Sequence, residues 1–300
     1  MDFGTNARGV ILGIHGLENK PPVDEKRRWW TSAIVEGLRR NGARADDQLP
    51  FEFVYWADLR YDAPVAADEN EEPYYPDPGI GPFPRPDPAE GPSVNTMMEG
   101  VYKGLDWVQT TTRTTPVDDL ILKARFDDLW HYHSETRFAR MVRERLSERL
   151  RALSGRPILL VAHSMGSIIA YDVLRMLERE APSVRVRDFV TLGSPLGLAE
   201  VKLKIAAENG AARTPNNVDR WTNLADRRDV ATVAGDLAGD YAPNDHGVRV
   251  RDRAVMNEYR RRSGEPNHHK SYGYLRTPEF SDIAAQYLGP CPSASDRARP

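Results

Sequence analysis

Cysteine is almost absent from the sequence: its 300 residues include one, Cys291, in a Pro/Ser-rich tail. A single thiol excludes an intrachain disulfide, and it indicates neither a cysteine zinc cluster nor a cysteine protease. The composition therefore favours a protein that stays reduced.

Long apolar runs and an excess of positive charge are also absent. Asp2 follows Met1, so the start is not typical of a signal peptide, and the apolar run Val10–Ile14 is far too short to span a membrane. The net charge of -3 and the pI near 6.2 give no general attraction for nucleic acid or anionic lipid. We expect a cytoplasmic protein with no nucleic-acid partner and no transmembrane segment; no oligomeric state is predicted.

Short apolar strands alternate with amphipathic helices along most of the chain, which predicts an α/β fold with a mostly parallel central sheet flanked by helices. Strands are predicted at Val10–Ile14, Phe51–Trp56, Ile158–Ala162, Phe189–Leu192 and Val218–Leu224, with a short edge strand at Val248–Arg251. Helices are predicted at Trp29–Arg40, Arg137–Leu153, Ile168–Leu177 and Thr277–Leu288.

One long segment, residues 62–133, interrupts this pattern. Its first part is acidic and rich in Pro and Gly, which disfavours helices and central strands, and helices are predicted only at Met97–Val108 and Val117–Trp130. We interpret 62–133 as a Pro-rich insertion and helical cap or lid on a core of residues 1–61 and 134–290, with a flexible tail at 291–300. Its apolar and aromatic residues suggest an acyl-containing or otherwise hydrophobic substrate.

The segment Ala162-His163-Ser164-Met165-Gly166 lies between a predicted strand and a predicted helix. A tight strand-to-helix turn holds a serine in a strained conformation and exposes its Oγ, provided that the residues two before and two after are small. Ala162 and Gly166 meet that condition. Ser164 is therefore the candidate nucleophile, and we expect His163 to have a packing role.

Acyl transfer requires two hydrogen-bond donors for the developing oxyanion. One is expected to be the backbone N–H of Met165, which follows the nucleophile. The other is assigned to Leu17, because His15-Gly16-Leu17 follows an early strand and Gly16 permits the necessary turn. His15 is expected to hold this loop through hydrogen bonds.

In this arrangement the catalytic acid and then the histidine follow the serine along the chain. Asp226 and Asp229 both follow the strand that contains Trp221, and we favour Asp229 because it lies further into the loop. The turn before the last helix offers His268 and His269, and the physical chemistry of the residues does not separate them.

These segments resemble the lipase and esterase branch of the α/β-hydrolase superfamily. Residues 162–174 are similar to the nucleophile segment of intracellular phospholipase A1-like and glycosylphosphatidylinositol-deacylase-like proteins, and residues 191–196 are similar to the strand that follows there. The resemblance implies an α/β-hydrolase fold and supports Asp229 as the acid, His269 as the base and Leu17 in the oxyanion hole. It does not cover 62–133, and Ala162 stands where a glycine is usual.

The leading hypothesis is hydrolysis of a small-molecule or acyl-containing carboxylic ester by Ser164, Asp229 and His269, with no metal and no cofactor. Asp226 and His268 remain the alternative acid and base. A thioesterase, an amidase or an acyltransferase would use the same residues. A non-catalytic α/β-hydrolase scaffold that binds partners through the Pro-rich insertion is the alternative of a different class.

Overall fold

The computed structural model describes residues 9–43, 45, 48–87, 128–232 and 236–288 of the chain. These residues form a six-stranded sheet in which every neighbouring pair of strands is parallel, in the order β2-β1-β3-β4-β5-β6. The strands are β1 (Val10–Ile14), β2 (Phe51–Val54), β3 (Ile158–His163), β4 (Val186–Leu192), β5 (Val218–Ala225) and β6 (Val250–Ala254). The prediction of a mostly parallel sheet flanked by helices is confirmed, and this architecture is that of the α/β-hydrolase fold.

Helices cover both faces of the sheet. They are α1 (Val23–Arg40), α2 (Thr136–Ala152), α3 (Met165–Glu180), α4 (Ala199–Asn209), α5 (Leu237–Asp240), α6 (Ser271–Arg276) and α7 (Pro278–Ala284). Single 3₁₀ turns lie at Ala57–Leu59, Pro195–Gly197, Val230–Thr232 and Ala285–Tyr287.

The central strands are apolar on both faces because helices pack on both. In β1, Leu12 and Ile14 lie in a cluster with α2 and α3, whereas Ile11 lies in a second cluster with Trp30 of α1 and Leu275 of α6. Successive side chains of a strand point to opposite faces. This two-sided burial explains why β1 and β3 have no polar positions before the site begins.

The strand order reverses direction between β1 and β3. The chain places β2 on one side of β1 and then returns to place β3 on the other side, after which the sheet grows in that direction through β6. In open parallel sheets, ligands bind outside the carboxyl ends of the strands at such a switch point. The residues after Ile14 and after His163 are therefore the first place to look for a site.

Several element boundaries differ from those predicted. Helix α1 begins at Val23 instead of Trp29, because Pro22 precedes it and acidic residues in its first turn favour the helix N-terminus. Strand β2 ends at Val54 because the N–H of Trp56 donates to a side chain, His15 Nε2, and not to a neighbouring strand.

The predicted last helix, Thr277–Leu288, is α7 followed by the 3₁₀ turn at Ala285–Tyr287, and α6 directly before it was not predicted. Pro278 has no N–H to continue α6, so the chain breaks at Thr277, whose Oγ1 accepts from the N–H of Phe280 and caps α7. The predicted edge strand at Val248–Arg251 is β6, shifted to Val250–Ala254.

Residues 62–87 contain neither helix nor strand, as their proline content predicts. Residues 72–83, which we call the strap, bind the outer face of α1. Tyr74 OH donates to Glu36, Arg40 Nη1 lies 2.6 Å from Asp77 Oδ1, and the Arg40 guanidinium covers the buried Phe83 ring at 3.8 Å.

The predicted cap helix at Met97–Val108 lies outside the described residues, and of the one predicted at Val117–Trp130 only the end is described, where residues 128–134 are helical. The assignment of 62–133 as a cap therefore stays a prediction. Within the part of the chain that the structure describes, no helix is long and apolar enough to cross a membrane.

Candidate active site

Ser164 occupies the sharp turn between β3 and α3. Its backbone has φ 54° and ψ -130°, a conformation that non-glycine residues rarely adopt. The turn is held from the sheet side by the N–H of Ser164, which donates to the carbonyl of Leu192 at 3.0 Å. The strain is therefore fixed by β4 and leaves the side chain at the carboxyl edge of the sheet.

The turn requires very small neighbours. A Cβ on Gly166 would lie 2.6 Å from the carbonyl oxygen of His15, and a Cβ on Gly16 would lie 2.5 Å from the Cβ of Ser164. Both distances are shorter than a real Cβ tolerates. The loop after β1 and the turn after β3 are thus in direct backbone contact, at the switch point of the sheet.

The structure brings His269 onto Ser164. Oγ of Ser164 donates to Nε2 of His269 at 3.0 Å, and the N–H of His269 donates to Asn267 Oδ1 at 3.0 Å. His163 Nε2 donates to the carbonyl of His269 at 2.6 Å, so His163 also contacts the histidine segment. Sequence reasoning expected packing from His163 and missed this hydrogen bond.

Asp229 lies on the other side of the imidazole. His269 Nδ1 donates to both carboxylate oxygens, at 2.8 and 2.9 Å, while Tyr274 OH donates at 2.7 Å and the N–H of Ala231 at 2.9 Å. Burial alone would raise the pKa of Asp229, but the charge of His269 and these hydrogen bonds bring that pKa below its usual value. A Cβ on Gly193 would lie 2.7 Å from Asp229 Oδ2, so the site has no room for one.

The alternative acid and base are occupied elsewhere. The carboxylate of Asp226 accepts from the guanidinium of Arg228 at 2.8 Å and from the N–H of Asn257 at 2.6 Å. His268 Nδ1 donates to the carbonyl of Asn257 at 2.9 Å. Asp226 and His268 thus hold the loops around Asn257, and the carboxylate–imidazole contact in line with Ser164 is made by Asp229 and His269.

The predicted oxyanion residues lie at the same edge. Met165 is the first residue of α3, so its N–H precedes the hydrogen-bond ladder of the helix. Leu17 follows Gly16, and its carbonyl accepts from Lys20 Nζ. The next residue, Glu18, has a positive φ of 74°, and its N–H donates to the buried carboxylate of Asp128 at 2.7 Å.

His15 holds the base of this loop. Its Nδ1 donates to the carbonyl of Gly16 at 2.8 Å, and its Nε2 accepts from the N–H of Trp56 at 3.0 Å, with the two rings stacked at 4.7 Å. Burial and the charge of Lys20 lower the pKa of His15 well below its usual value. The ring is therefore neutral and both of its nitrogens are used, in keeping with a supporting role.

A cavity of about 310 Å³ opens onto Ser164. Charged groups dominate its described lining, with Leu17 and Val65 as the aliphatic members. No group of three or more His, Cys, Asp or Glu side chains suited to a metal ion occurs among the described residues.

Tyr274 and Gly193 were missed by sequence reasoning. The sequence contains two tyrosines shortly after His269, and nothing local shows that Tyr274 binds Asp229 while Tyr272 binds a lysine, Lys26. A glycine directly after a predicted strand was the only available signal for Gly193.

One family comparison bears on this site. Residues 106–210 match the family described as lecithin:cholesterol acyltransferase. The matched segment contains β3, Ser164, α3 and β4, and it leaves Asp229 and His269 outside. No curated protein matches the chain.

Proposed function

We propose that the chain is a serine hydrolase that cleaves a carboxylic ester through an acyl-enzyme formed on Ser164. The observation that carries this proposal is the unbroken hydrogen-bond chain from Ser164 Oγ through His269 to Asp229. A nucleophile, a base within 3.0 Å and a carboxylate that orients the base are the elements of nucleophilic acyl transfer.

In the first half of the proposed reaction, Oγ of Ser164 attacks the carbonyl carbon of the ester and its proton passes to Nε2 of His269. The carbonyl oxygen becomes an oxyanion, which the N–H groups of Leu17 and Met165 stabilise. The bond from carbon to the alcohol oxygen then breaks, and the alcohol leaves with the proton from Nε2.

In the second half, water attacks the acyl-enzyme and gives its proton to Nε2 of His269. The bond to Oγ breaks, Oγ recovers the proton, and the carboxylic acid is released. Asp229 stabilises the imidazolium in both halves without taking its proton, consistent with a pKa below the usual value.

The family match and the resemblance of residues 162–174 to lipases, including phospholipase A1-like and glycosylphosphatidylinositol-deacylase-like proteins, support an acyl ester as the substrate. Acyl transfer is the second candidate, because the matched family is described as an acyltransferase. It differs in one step: an alcohol replaces water as the attacker of the acyl-enzyme and a new ester leaves. Mass spectrometry of the products with and without an added alcohol separates the two.

The nucleophile is tested with a fluorophosphonate probe, which reacts with activated serines. We expect labelling of the wild type and none of Ser164→Ala. Ser147→Ala, at a buried serine of α2 that bonds to the Glu144 carbonyl, is the matched control and keeps the label. An unlabelled wild type would contradict the hydrolase proposal, and labelling that survives in Ser164→Ala would contradict the choice of nucleophile.

A further inference from the structure

The described lining of the cavity in front of Ser164 contains more charged than apolar side chains. Its cations come from the loop after β1, from the first turn of α1, and from the segment around His269. They are Lys20, Lys26, Arg261 and Lys270. These four cations differ in whether a carboxylate of the protein is paired with them.

Two of the four cations make ion pairs with Glu72 of the strap. Its carboxylate lies 2.5 Å from Lys270 Nζ and 2.8 Å from Arg261 Nε, and it also accepts from Asn267. Burial would raise the pKa of Glu72, but the charge of Lys270 and these hydrogen bonds hold it far below its usual value. Lys270 and Arg261 are therefore paired.

Lys26 is buried without a carboxylate partner among the described residues. The residue is 3% exposed, its Nζ donates to Tyr272 OH at 2.9 Å, and the ammonium lies 4.5 Å from the centre of the same ring. A hydroxyl and a ring face compensate only part of the hydration that a buried ammonium loses. Burial, Lys270 and Lys20 lower the pKa of Lys26 well below its usual value.

Lys20 is the second cation without an ion pair in the described part of the chain. Its Nζ donates to the carbonyl of Leu17, in the loop that follows β1. Burial lowers the pKa of Lys20 to about 8, with Glu18 acting in the opposite direction. Glu18, Glu69 and Glu71 also line the cavity, but none of them makes an ion pair with Lys20 or Lys26.

Both lysines line the cavity that contains Ser164. Their charges lower the pKa of His15 and of His163, the residues that immediately precede Gly16 and Ser164. Lys20 Nζ also donates to the carbonyl of Leu17, which adjoins Gly16, and Gly16 lies against Ser164. An anionic group bound there would give Lys26 and Lys20 the ion-pair partner that they lack among the described residues.

We propose that Lys26, together with Lys20, forms a subsite for an anionic group, a carboxylate or a phosphate, on the same substrate molecule as the ester that Ser164 attacks. This inference rests on the proposed hydrolase function and adds a substrate class to it. A buried cation near a nucleophile lowers the stability of the free protein and is retained where a ligand uses it. The subsite selects charged esters over neutral ones of the same size.

The experiment compares kcat/KM for matched pairs of esters. Mono-4-nitrophenyl glutarate against its methyl ester tests a carboxylate on the acyl side. 1-Butanoylglycerol 3-phosphate against 1-butanoylglycerol tests a phosphate on the alcohol side. We expect the wild type to prefer the anionic member of at least one pair by about tenfold or more, and Lys26→Met to reduce that ratio to near one. A preference in the glutarate pair identifies the anion as a carboxylate, and a preference in the glycerol pair identifies it as a phosphate.

Thermal unfolding separates a binding role from a structural one. Methionine has a similar length and no charge, so Lys26→Met is expected to keep or raise the Tm. If Lys26 instead stabilised the fold, the same substitution would lower the Tm. Lys202→Met, at a partly exposed lysine of α4 paired with Asp240, is the matched control and keeps the wild-type ratio. Lys20→Met is the second variant and is expected to lower the ratio as well.

The outcomes keep the two proposals apart. A wild type that reacts with the fluorophosphonate and hydrolyses the neutral esters, yet shows no preference in either pair, overturns the anionic subsite and leaves the hydrolase. A preference that persists in both Lys26→Met and Lys20→Met also overturns it. A wild type that neither labels nor hydrolyses any of the four esters overturns the hydrolase, and the subsite with it.

Discussion

Asp229 reaches His269 with both carboxylate oxygens, so the ring proton is fixed at Nδ1 and Nε2 is left to accept from Ser164. The carboxylate has no solvent contact, and Tyr274 occupies one of its oxygens from behind. An aspartate held in this way remains ionised and cannot rotate away from the imidazole. The orientation of the base therefore depends on one buried side chain.

We predict that Asp229→Asn lowers kcat on a soluble 4-nitrophenyl ester by roughly 10³- to 10⁴-fold, because the amide cannot hold the productive tautomer of His269. Asp226→Asn is the control: its side chain binds Arg228 and Asn257, so it should lower the Tm with a much smaller effect on kcat. An equal loss of kcat in a folded Asp226→Asn protein would speak against Asp229 as the acid.

At the scale of residues, the sequence identifies some candidates better than others. Ser164 could be singled out because its strand, turn and helix are consecutive. Asp229 and Asp226 are three positions apart, and the choice between them depends on contacts with Tyr274 and Asn257 from elsewhere in the chain. Lys26 could not be singled out from the sequence, because it lies in a run of charged residues before the predicted start of the helix at Trp29.

Among the elements, the loop after β1 is the most tightly constrained by its neighbours. Gly16 lies against the side chain of Ser164, and His15, Trp56 and Lys20 fix the loop through hydrogen bonds. The loop is therefore positioned by its packing on the turn after β3, and it cannot shift without moving Ser164.

We predict that Gly16→Ala reduces kcat/KM by about 100-fold or more, because the added methyl would lie 2.5 Å from the Cβ of Ser164. Gly239→Ala in α5 is the matched control, since its methyl would make only an ordinary contact at 3.6 Å with Asp236. Fluorophosphonate labelling rates and ester kinetics measure the effect. Wild-type kinetics in Gly16→Ala would show that this close approach is not required.

The elements that sequence patterns predicted best are those buried on both faces or on one broad stripe, such as β3 and α2. Helix α4 was not predicted, because only Val201 and Ile205 are buried in it. The early start of α1 was missed because its apolar stripe begins later than the acidic residues of its first turn. The local hydrophobic pattern thus predicts elements that contribute many side chains to the core, and it misses elements that contribute few.

For the molecule as a whole, the strap joins parts of the chain that are far apart in sequence. Glu72 binds Arg261, Asn267 and Lys270, and Tyr74 and Asp77 bind α1. The insertion is therefore attached to the histidine segment as well as to the core. We therefore expect the ion pairs of the strap to stabilise the fold.

We predict that Glu72→Gln lowers the free energy of unfolding by about 1–3 kcal/mol at pH 7. The folded-state pKa of Glu72 is depressed, so its contribution is complete above the unfolded-state pKa of about 4.3 and is lost as the pH falls below it. In denaturant titrations the difference from the wild type should therefore begin to narrow below about pH 5 and keep narrowing as the pH falls towards the depressed folded-state pKa. Glu69→Gln, at an exposed glutamate of the same insertion, should show little difference at any pH.

Fold class is the whole-molecule property that the sequence predicted correctly, because alternation of strands and helices is a property of the entire chain. The cytoplasmic location, the domain boundaries and the role of 62–133 stay predictions. The character of the cavity was not accessible from composition, since it depends on which charges meet across loops from three parts of the chain.

The assembly of the site from distant segments has a consequence for biosynthesis. His269 follows Ser164 by 105 residues and Asp229 by 40, and only Lys270 separates it from α6, which packs on α1. A growing chain completes the strand and turn of Ser164 long before its base exists. If Ser164 is activated as proposed, it is an ordinary alcohol until the final segment emerges from the ribosome and docks, and nascent and truncated chains should not hydrolyse esters.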